Sequence, residues 1–173
     1  MRRIFAAFVL ALVSGCGDGG PVSQLFDADE PRIPTLPANA VIRIIHKPCY
    51  GTCPVYVVTL FDSGKTIFEG DRFVKTTGSA SHQLSPETVR SLVSHFADSS
   101  FPRMDTFYSH GHANCLTYST DQSGTITTVR LPTGVKSVYY NRGCATRPEL
   151  AELTQNQQEV ERAANVSEWL GAG

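Results

Sequence analysis

Six residues, Cys49-Tyr50-Gly51-Thr52-Cys53-Pro54, stand directly before the first strongly β-forming run of the chain, Val55 to Phe61. Two cysteines separated by three residues, with a glycine between them and a proline after them, describe a tight bend rather than an extended segment. Gly51 supplies backbone freedom, and Pro54 fixes φ where the strand begins. Cysteines at this spacing can form a small disulfide, act as a thiol redox pair or bind a metal.

The N-terminus has the features of an export signal. Arg2 and Arg3 precede an apolar run, Ile4 to Val13, which is too short to cross about 30 Å of hydrocarbon as a helix. The run ends in Leu12-Val13-Ser14-Gly15-Cys16, which looks like a bacterial lipobox. We therefore expect residues 1–15 to be a lipoprotein signal peptide and Cys16 to be lipidated and to anchor the chain in the lipid bilayer. The alternative is an ordinary cleaved signal with a chance cysteine.

This anchor predicts a location in the bacterial cell envelope, facing the periplasm. By analogy with enterobacterial sorting, Gly17 instead of aspartate at the second mature position mildly favours the outer membrane. Removing residues 1–15 takes away two of the 15 basic residues and none of the 16 acidic ones, which leaves a net charge of −3. Such a charge argues against general nucleic-acid binding. Besides the lipid bilayer, the envelope location allows an envelope protein as a partner, which the sequence does not identify.

The remaining chain divides into a tether and one domain. Residues 16–39 begin Gly-Asp-Gly-Gly-Pro after Cys16, later hold Pro31, Pro34 and Pro37, and show no sustained apolar period, which indicates a lipidated flexible tether. The alternative is a partly ordered arm that lies on the domain through the apolar residues Leu25, Phe26, Ile33 and Leu36. Residues 40–173 are expected to form a single domain.

The first half of the domain predicts strands followed by a helix. The expected strands are Val41 to His46, Val55 to Phe61, Lys65 to Glu69 after a turn at Asp62-Ser63-Gly64, and Arg72 to Thr76. Ser85-Pro86-Glu87 marks a helix start, and Val89, Leu92, Val93 and Phe96 repeat with helical spacing. His95 lies beside this apolar stripe and is interpreted as a surface or boundary residue.

The second half predicts an antiparallel meander and a terminal helix. Its strands are Cys115 to Thr120, Thr125 to Leu131 and Val135 to Tyr140, and alternation predicts that one of Tyr139 and Tyr140 is exposed. A capping box at Thr146 to Glu149 opens a long helix whose apolar positions extend to Trp169. The chain is therefore expected to be α+β, with an antiparallel sheet of about six to seven short strands, one mid-chain helix and one C-terminal helix.

Four cysteines remain after Cys16, which makes two disulfides the default in an oxidising compartment, with three possible pairings. We favour Cys49 with Cys53 and Cys115 with Cys144. The second pairing has a difficulty, because Cys115 begins one edge of a simple meander and Cys144 follows the far end of the other. Residues 141–143 would have to turn the chain back.

The segment from Cys49 to Tyr56, the hairpin at Asp62 to Lys65 and the helix with Phe96 resemble an uncharacterised family of bacterial secreted domains and lipoproteins. That family has a Cys-aromatic-Gly-x-Cys-Pro-x-Tyr signature, and the similarity covers about residues 40 to 170. Its typical members carry only the first cysteine pair, which implies that Cys49 and Cys53 need neither Cys115 nor Cys144. The family has no established activity, so the resemblance implies no catalytic residue.

The competing interpretation is a periplasmic thiol-redox or copper- or zinc-binding protein that uses Cys49 and Cys53. Copper-delivery proteins place a similar motif at the head of a helix, whereas here it runs into a predicted strand, which favours a structural disulfide. His110 and His112 beside Cys115 are a second candidate metal cluster, but an oxidised Cys115 leaves only two ligands. With no catalytic motif present, we expect a binding or structural role, no enzyme activity and no cofactor or bound metal.

The two interpretations predict different thiol contents. Because a structural role pairs all four sulfurs, the purified, unreduced mature protein should show Cys49, Cys53, Cys115 and Cys144 blocked to a thiol reagent. The measurement is mass spectrometry after alkylation, with a reduced sample as the control. Two free thiols at Cys49 and Cys53 would support the redox or metal interpretation instead.

Overall fold

The computed structural model describes residues 32–145 and 147–171, so the predictions for residues 1–31, including Cys16, lie outside the described residues. Its secondary structure confirms the expected α+β class. The strands are β1 (Ala40–His46), β2 (Val55–Phe61), β3 (Lys65–Arg72), β4 (Gly78–Gln83), β5 (Phe107–Tyr108), β6 (Gly124–Leu131) and β7 (Gly134–Asn141). The helices are α1 (Pro86–Asp98), α2 (Pro148–Ala163) and α3 (Ser167–Leu170).

All seven strands form one sheet in the order β4-β3-β2-β1-β6-β7-β5. Every neighbouring pair is antiparallel except β5 and β7, which run parallel. The β2–β3 hairpin turns at Gly64, whose φ of 88° suits glycine. A Cβ there would lie 2.1 Å from the carbonyl oxygen of Leu84, so this position also lets the end of β4 approach closely.

The sheet is apolar on both faces. Ile42, Ile44, Val58 and Phe68 are buried on one face against residues of α1, α2 and α3, and this is the larger core. The intervening residues point to the opposite face, where Ile45, Val55, Val57, Ile126 and Tyr139 form a smaller buried cluster. Ile33, which lies in the segment before β1, packs against this second cluster.

Helix α1 follows the predicted pattern. The Ser85 hydroxyl accepts a hydrogen bond from the backbone N–H of Thr88 at 3.1 Å, which satisfies one of the free N–H groups of the first turn. Val89, Leu92 and Phe96 are buried. His95 is exposed and bonds Glu159 of α2 at 2.8 Å, which confirms its surface position.

Two predicted strands are wrong. Of the strand predicted at Arg72 to Thr76, Arg72 ends β3 and residues 73–76 form bends, and the edge strand β4 begins at Gly78. Residues 115–120 lie in a loop with a single β-bridge between Tyr118 and Cys144, so only two strands of the predicted meander exist, as β6 and β7.

Two further expectations need correction. Tyr139 and Tyr140 are both buried, because each face of the sheet has its own core. The terminal helix is not continuous, since α2 ends at Ala163, Asn165 has a φ of 55° and α3 follows as a separate turn. Arg147 is the N-cap of α2 without a side-chain hydrogen bond, and the Thr146 part of the predicted capping box lies outside the described residues.

None of the helices in the described part of the chain is both long and apolar enough to cross a membrane.

Candidate functional site

The candidate site lies at one end of the sheet, where β1 leads into β2 and where both disulfides are found. Cys49 is bonded to Cys53 within the β1–β2 loop, with 5.8 Å between the Cα atoms. Cys115 is bonded to Cys144, with 5.1 Å between the Cα atoms, and this bond joins the long β5–β6 loop to the turn after β7. These are the two pairings that the sequence favours. Neither the Cys49–Cys53 pair nor Cys115 therefore offers a free thiol for redox chemistry or a metal in this state.

The chain turns back after β7 through a short hydrogen-bonded turn. The N–H of Cys144 bonds the carbonyl of Asn141 at 3.0 Å, and the N–H of Gly143 bonds the Asn141 side-chain oxygen at 2.8 Å. The returning backbone then pairs with the β5–β6 loop, where the N–H of Ser119 bonds the carbonyl of Gly143 at 2.8 Å. This turn removes the difficulty that a simple meander poses for the Cys115–Cys144 bond.

A row of polar side chains crosses the sheet next to the first disulfide. His46, the last residue of β1, lies directly opposite Tyr56 of β2 and Thr125 of β6. The rings of His46 and Tyr56 stack with their centroids 4.2 Å apart and 12° between their planes. Because Tyr56 is the third residue after Cys53, the segment that forms the disulfide loop also supplies one member of this row.

Helix α2 presents two polar residues, four positions apart, to that row. Glu161 accepts a hydrogen bond from the Tyr56 hydroxyl at 3.0 Å, and its carboxylate lies 2.5 Å from Nε2 of His46. The Gln157 amide donates to the hydroxyls of Thr125 at 3.1 Å and Thr127 at 2.7 Å. The helix is thus held on the sheet by directional bonds as well as by apolar contacts.

The environment favours an ionised Glu161. Burial raises the pKa of its carboxyl, but the hydrogen bond and charge of His46, the hydrogen bond of Tyr56 and the charge of Arg142 outweigh burial, so the pKa falls below its usual value. Burial, and then the Glu161 carboxylate, raise the pKa of the Tyr56 hydroxyl. The hydroxyl therefore stays protonated and acts as a hydrogen-bond donor.

Two adjoining hollows open on the surface beside the disulfides. One, of about 350 Å³, is lined by residues that include Cys49, Tyr50, Asp121 and Tyr139. The other, of about 650 Å³, is lined by residues that include His110, His112 and Leu116. The side chain of Tyr118 borders both.

The loops around these hollows carry unusually exposed apolar side chains. Tyr50 and Leu116 are each 88 % exposed, although each is next to a disulfide-bonded cysteine. The N–H of Tyr50 bonds the carbonyl of Asp121 at 3.2 Å, which joins the β1–β2 loop to the β5–β6 loop. We call the surface formed by Tyr50, Leu116, Tyr118 and the two hollows the loop face.

The two histidines of the predicted metal cluster contact aromatic rings. The ring of His110 lies 4.8 Å from that of Tyr118, and the ring of His112 lies 5.7 Å from that of Phe107. Within residues 32–145 and 147–171, no group of three or more histidine, cysteine, aspartate or glutamate side chains is placed to hold a metal ion.

Sequence reasoning missed the His46, Tyr56 and Glu161 cluster. Tyr56 was visible as the last residue of the cysteine segment, but nothing in a single sequence links it to a glutamate 105 positions later. One feature of the sequence pointed to Glu161. It lies next to the apolar position Val160 and four residues after Gln157, which is on the buried face of the helix, and this spacing places Glu161 beside that face.

We expect Glu161→Gln to destabilise the fold by about 2 kcal/mol at neutral pH, because it replaces a charged acceptor of two hydrogen bonds. A carboxyl whose pKa is lowered by folding stabilises the protein above its unfolded pKa, near 4.5, and this contribution disappears as the pH falls through the lower folded pKa. Urea unfolding between pH 7 and pH 3 should therefore show a steeper acid loss for the unmodified chain than for Glu161→Gln.

The matched control is Glu159→Gln, which removes a partly exposed carboxylate that bonds the exposed ring of His95 and should change stability by less than about 0.5 kcal/mol. Equal acid dependence of the unmodified chain and Glu161→Gln would contradict the assignment of a stabilising ionised carboxylate.

Comparison with known proteins gives one family. No curated protein matches the chain. The family model described as "Domain of unknown function (DUF6438)" matches residues 40–162, which include the whole sheet, both disulfides and the Glu161 cluster. The chain belongs to this family of domains of unknown function, DUF6438.

Proposed function

We propose that the chain is a membrane-anchored bacterial envelope lipoprotein, and that its disulfide-bonded domain binds an envelope protein through the loop face rather than catalysing a reaction. The observation that carries the proposal is that both disulfides hold the loops in which Tyr50 and Leu116 are exposed. Structural disulfides are typical of exported proteins, which agrees with the signal-like N-terminus.

The anchor follows from the sequence around Cys16. A basic start, a short apolar run and Ser14-Gly15-Cys16 occur together, as in lipoproteins that are cleaved before an acylated cysteine. Two or more acyl chains make membrane attachment stable where a single chain does not. The domain then faces the periplasm, and Gly17 slightly favours the outer membrane.

The binding role follows from the loop face. Large exposed apolar side chains contribute most of the energy of many protein interfaces when a partner buries them. Loops already fixed by covalent bonds lose little conformational entropy on binding. Tyr50 and Leu116 satisfy both conditions, and the hollows on either side of Tyr118 provide concave surface for a partner's side chains.

The anchor is tested by Cys16→Ser, which should release the protein from membranes because no sulfur remains to be acylated. Membrane sedimentation after an alkaline wash measures the effect. Cys115→Ser is the control: it should stay with the membranes while lowering stability, since it breaks the Cys115–Cys144 bond. Cys16→Ser protein that still sediments with membranes would place the anchor elsewhere.

The binding face is tested by site-specific photo-crosslinking in cells, with a photoreactive amino acid at position 50, 116 or 135. Val135 is the control, because it is 52 % exposed but lies at the opposite end of the sheet. Positions 50 and 116 should give an adduct of the same mass, and position 135 should not.

A second variant shows whether the adduct depends on the face itself. Leu116→Ser should lower the yield of the adduct from position 50 several-fold, because both side chains contact the same partner. Equal yields from all three positions, or no adduct from positions 50 and 116, would refute the binding proposal.

A further inference from the structure

The two edges of the sheet differ in how far they are open. One edge ends in β5, which has two residues and pairs only through Phe107 and Tyr108. The other edge is β4, whose six residues all pair with β3 on one side. In the described part of the chain, no strand pairs with the other side of β4.

Hydrogen bonding in the sheet determines which backbone groups of β4 are free. The N–H of Leu84 bonds the carbonyl of Gly64 at 3.0 Å, and these residues lie in register with the β3–β4 pairs. Since hydrogen-bonded pairs alternate along an antiparallel ladder, the even-numbered residues of β4 bond β3. The N–H and C=O groups of Ser79, Ser81 and Gln83 therefore point away from the sheet.

These three residues are accessible and lack the usual protection of an edge. Ser79, Ser81 and Gln83 are all exposed. Proteins usually protect an edge strand with lysine, proline, a bulge or a covering element. The strand Gly78–Gln83 contains neither lysine nor proline and has no charged side chain, and its register with β3 is continuous.

We propose that β4 pairs with β4 of a second copy of this chain, antiparallel and about a two-fold axis through Ser81. In this register Ser81 lies opposite Ser81 of the partner subunit, and Ser79 lies opposite Gln83 of the partner subunit. All three outward-pointing residues of each copy then pair with outward-pointing residues of the other. The pairing forms six backbone hydrogen bonds.

The side chains of β4 fit this self-pairing. On the face that packs against the helices, Ala80 lies opposite His82 of the partner subunit, so a small side chain meets a large one and the histidines do not face each other. No pair brings like charges together, because the strand has none. Two-fold pairing occupies the open β4 edge of each copy at once, so neither copy keeps a free β4 edge and the assembly closes as a dimer.

An exposed apolar residue lies in the connection that leads into β4. Phe73, in the connection between β3 and β4, is 51 % exposed and has a φ of 56°. Such a backbone conformation is unfavourable for an aromatic residue, and the exposed ring adds apolar surface beside a polar edge.

The test adds one cysteine at a time to β4 of the purified full-length chain, which keeps its native cysteines. Each variant is oxidised with copper phenanthroline and analysed on a non-reducing gel. Ser81→Cys should give a covalent dimer, because opposite residues of a hydrogen-bonded pair have Cα atoms about 5.5 Å apart, within disulfide range. Ser79→Cys is the matched control on the same strand. It should not give a dimer, because it faces Gln83 of the partner subunit.

The double variant Ser79→Cys with Gln83→Cys should give the dimer again. Equal crosslinking of Ser81→Cys and Ser79→Cys would show random collision and overturn the register. Absence of crosslinking in Ser81→Cys, or an adduct to a protein of another mass, would overturn pairing with a second copy.

A second test needs no added cysteine, so exchange between an added thiol and the native disulfides cannot produce its result. Light scattering of the full-length chain in detergent should show a dimer for the unmodified chain and for Ser81→Thr. Ser81→Lys should raise the dissociation constant at least about tenfold, because it places two positive charges opposite each other at the two-fold axis. A monomeric unmodified chain, or an unchanged dimer in Ser81→Lys, would refute the proposal.

Discussion

The bond between Glu161 of α2 and the ends of β1 and β2 is the interaction on which the position of the C-terminal helix depends. Apolar contacts of Leu150, Leu153 and Val160 hold α2 against the sheet, but such contacts have no direction. A partly buried carboxylate is stable only where donors meet it, which here are the Tyr56 hydroxyl and the His46 ring. A shift of α2 along the sheet would leave the charge without these partners. The polar cluster therefore selects one docking position among several apolar ones.

The same cluster connects the helix to the disulfide loops. Tyr56 follows the Cys49–Cys53 loop by three residues, so fixing its ring also fixes where that loop enters β2. The β5–β6 loop has exposed residues along much of its length and gains little from burial. In the chain-entropy model its Cys115–Cys144 bond contributes roughly 3.5 kcal/mol, against roughly 2 kcal/mol for the shorter Cys49–Cys53 loop. Covalent bonds thus supply the order that apolar packing does not, and the exposed Tyr50 and Leu116 depend on it.

The sequence predicts those elements whose local pattern agrees with their tertiary surroundings. Val55 to Phe61 and the stripe of α1 are found as expected, because β-branched residues and helical spacing coincide with burial. Strand β4 was missed because Gly78–Gln83 has little β propensity and becomes a strand through its pairing with β3. Tyr139 was misjudged because its ring covers Gly124 and packs against Phe107 on the second face, a contact that alternation does not reveal. Only part of the site could be predicted from the sequence, because the cysteine spacing identified the disulfide loops but nothing local linked them to the distant Glu161.

The direction of β1 relates the two proposed surfaces to the proposed anchor. The described chain enters the domain at Ala40 and reaches the loop face only after His46, so the loop face lies at the end of the sheet opposite the start of β1. Before Ala40 the chain lies on the second face, where Ile33 packs against the cluster that includes Ile45 and Val55 near the loop-face end of the strands. The proposed anchor therefore precedes a segment that runs back toward the loop face. Two-fold pairing through β4 makes the strands of the two copies antiparallel, so their loop faces point in opposite directions along the strands. The proposed dimer therefore presents one loop face at each end, an arrangement that suits two separate partner molecules rather than two contacts with one partner.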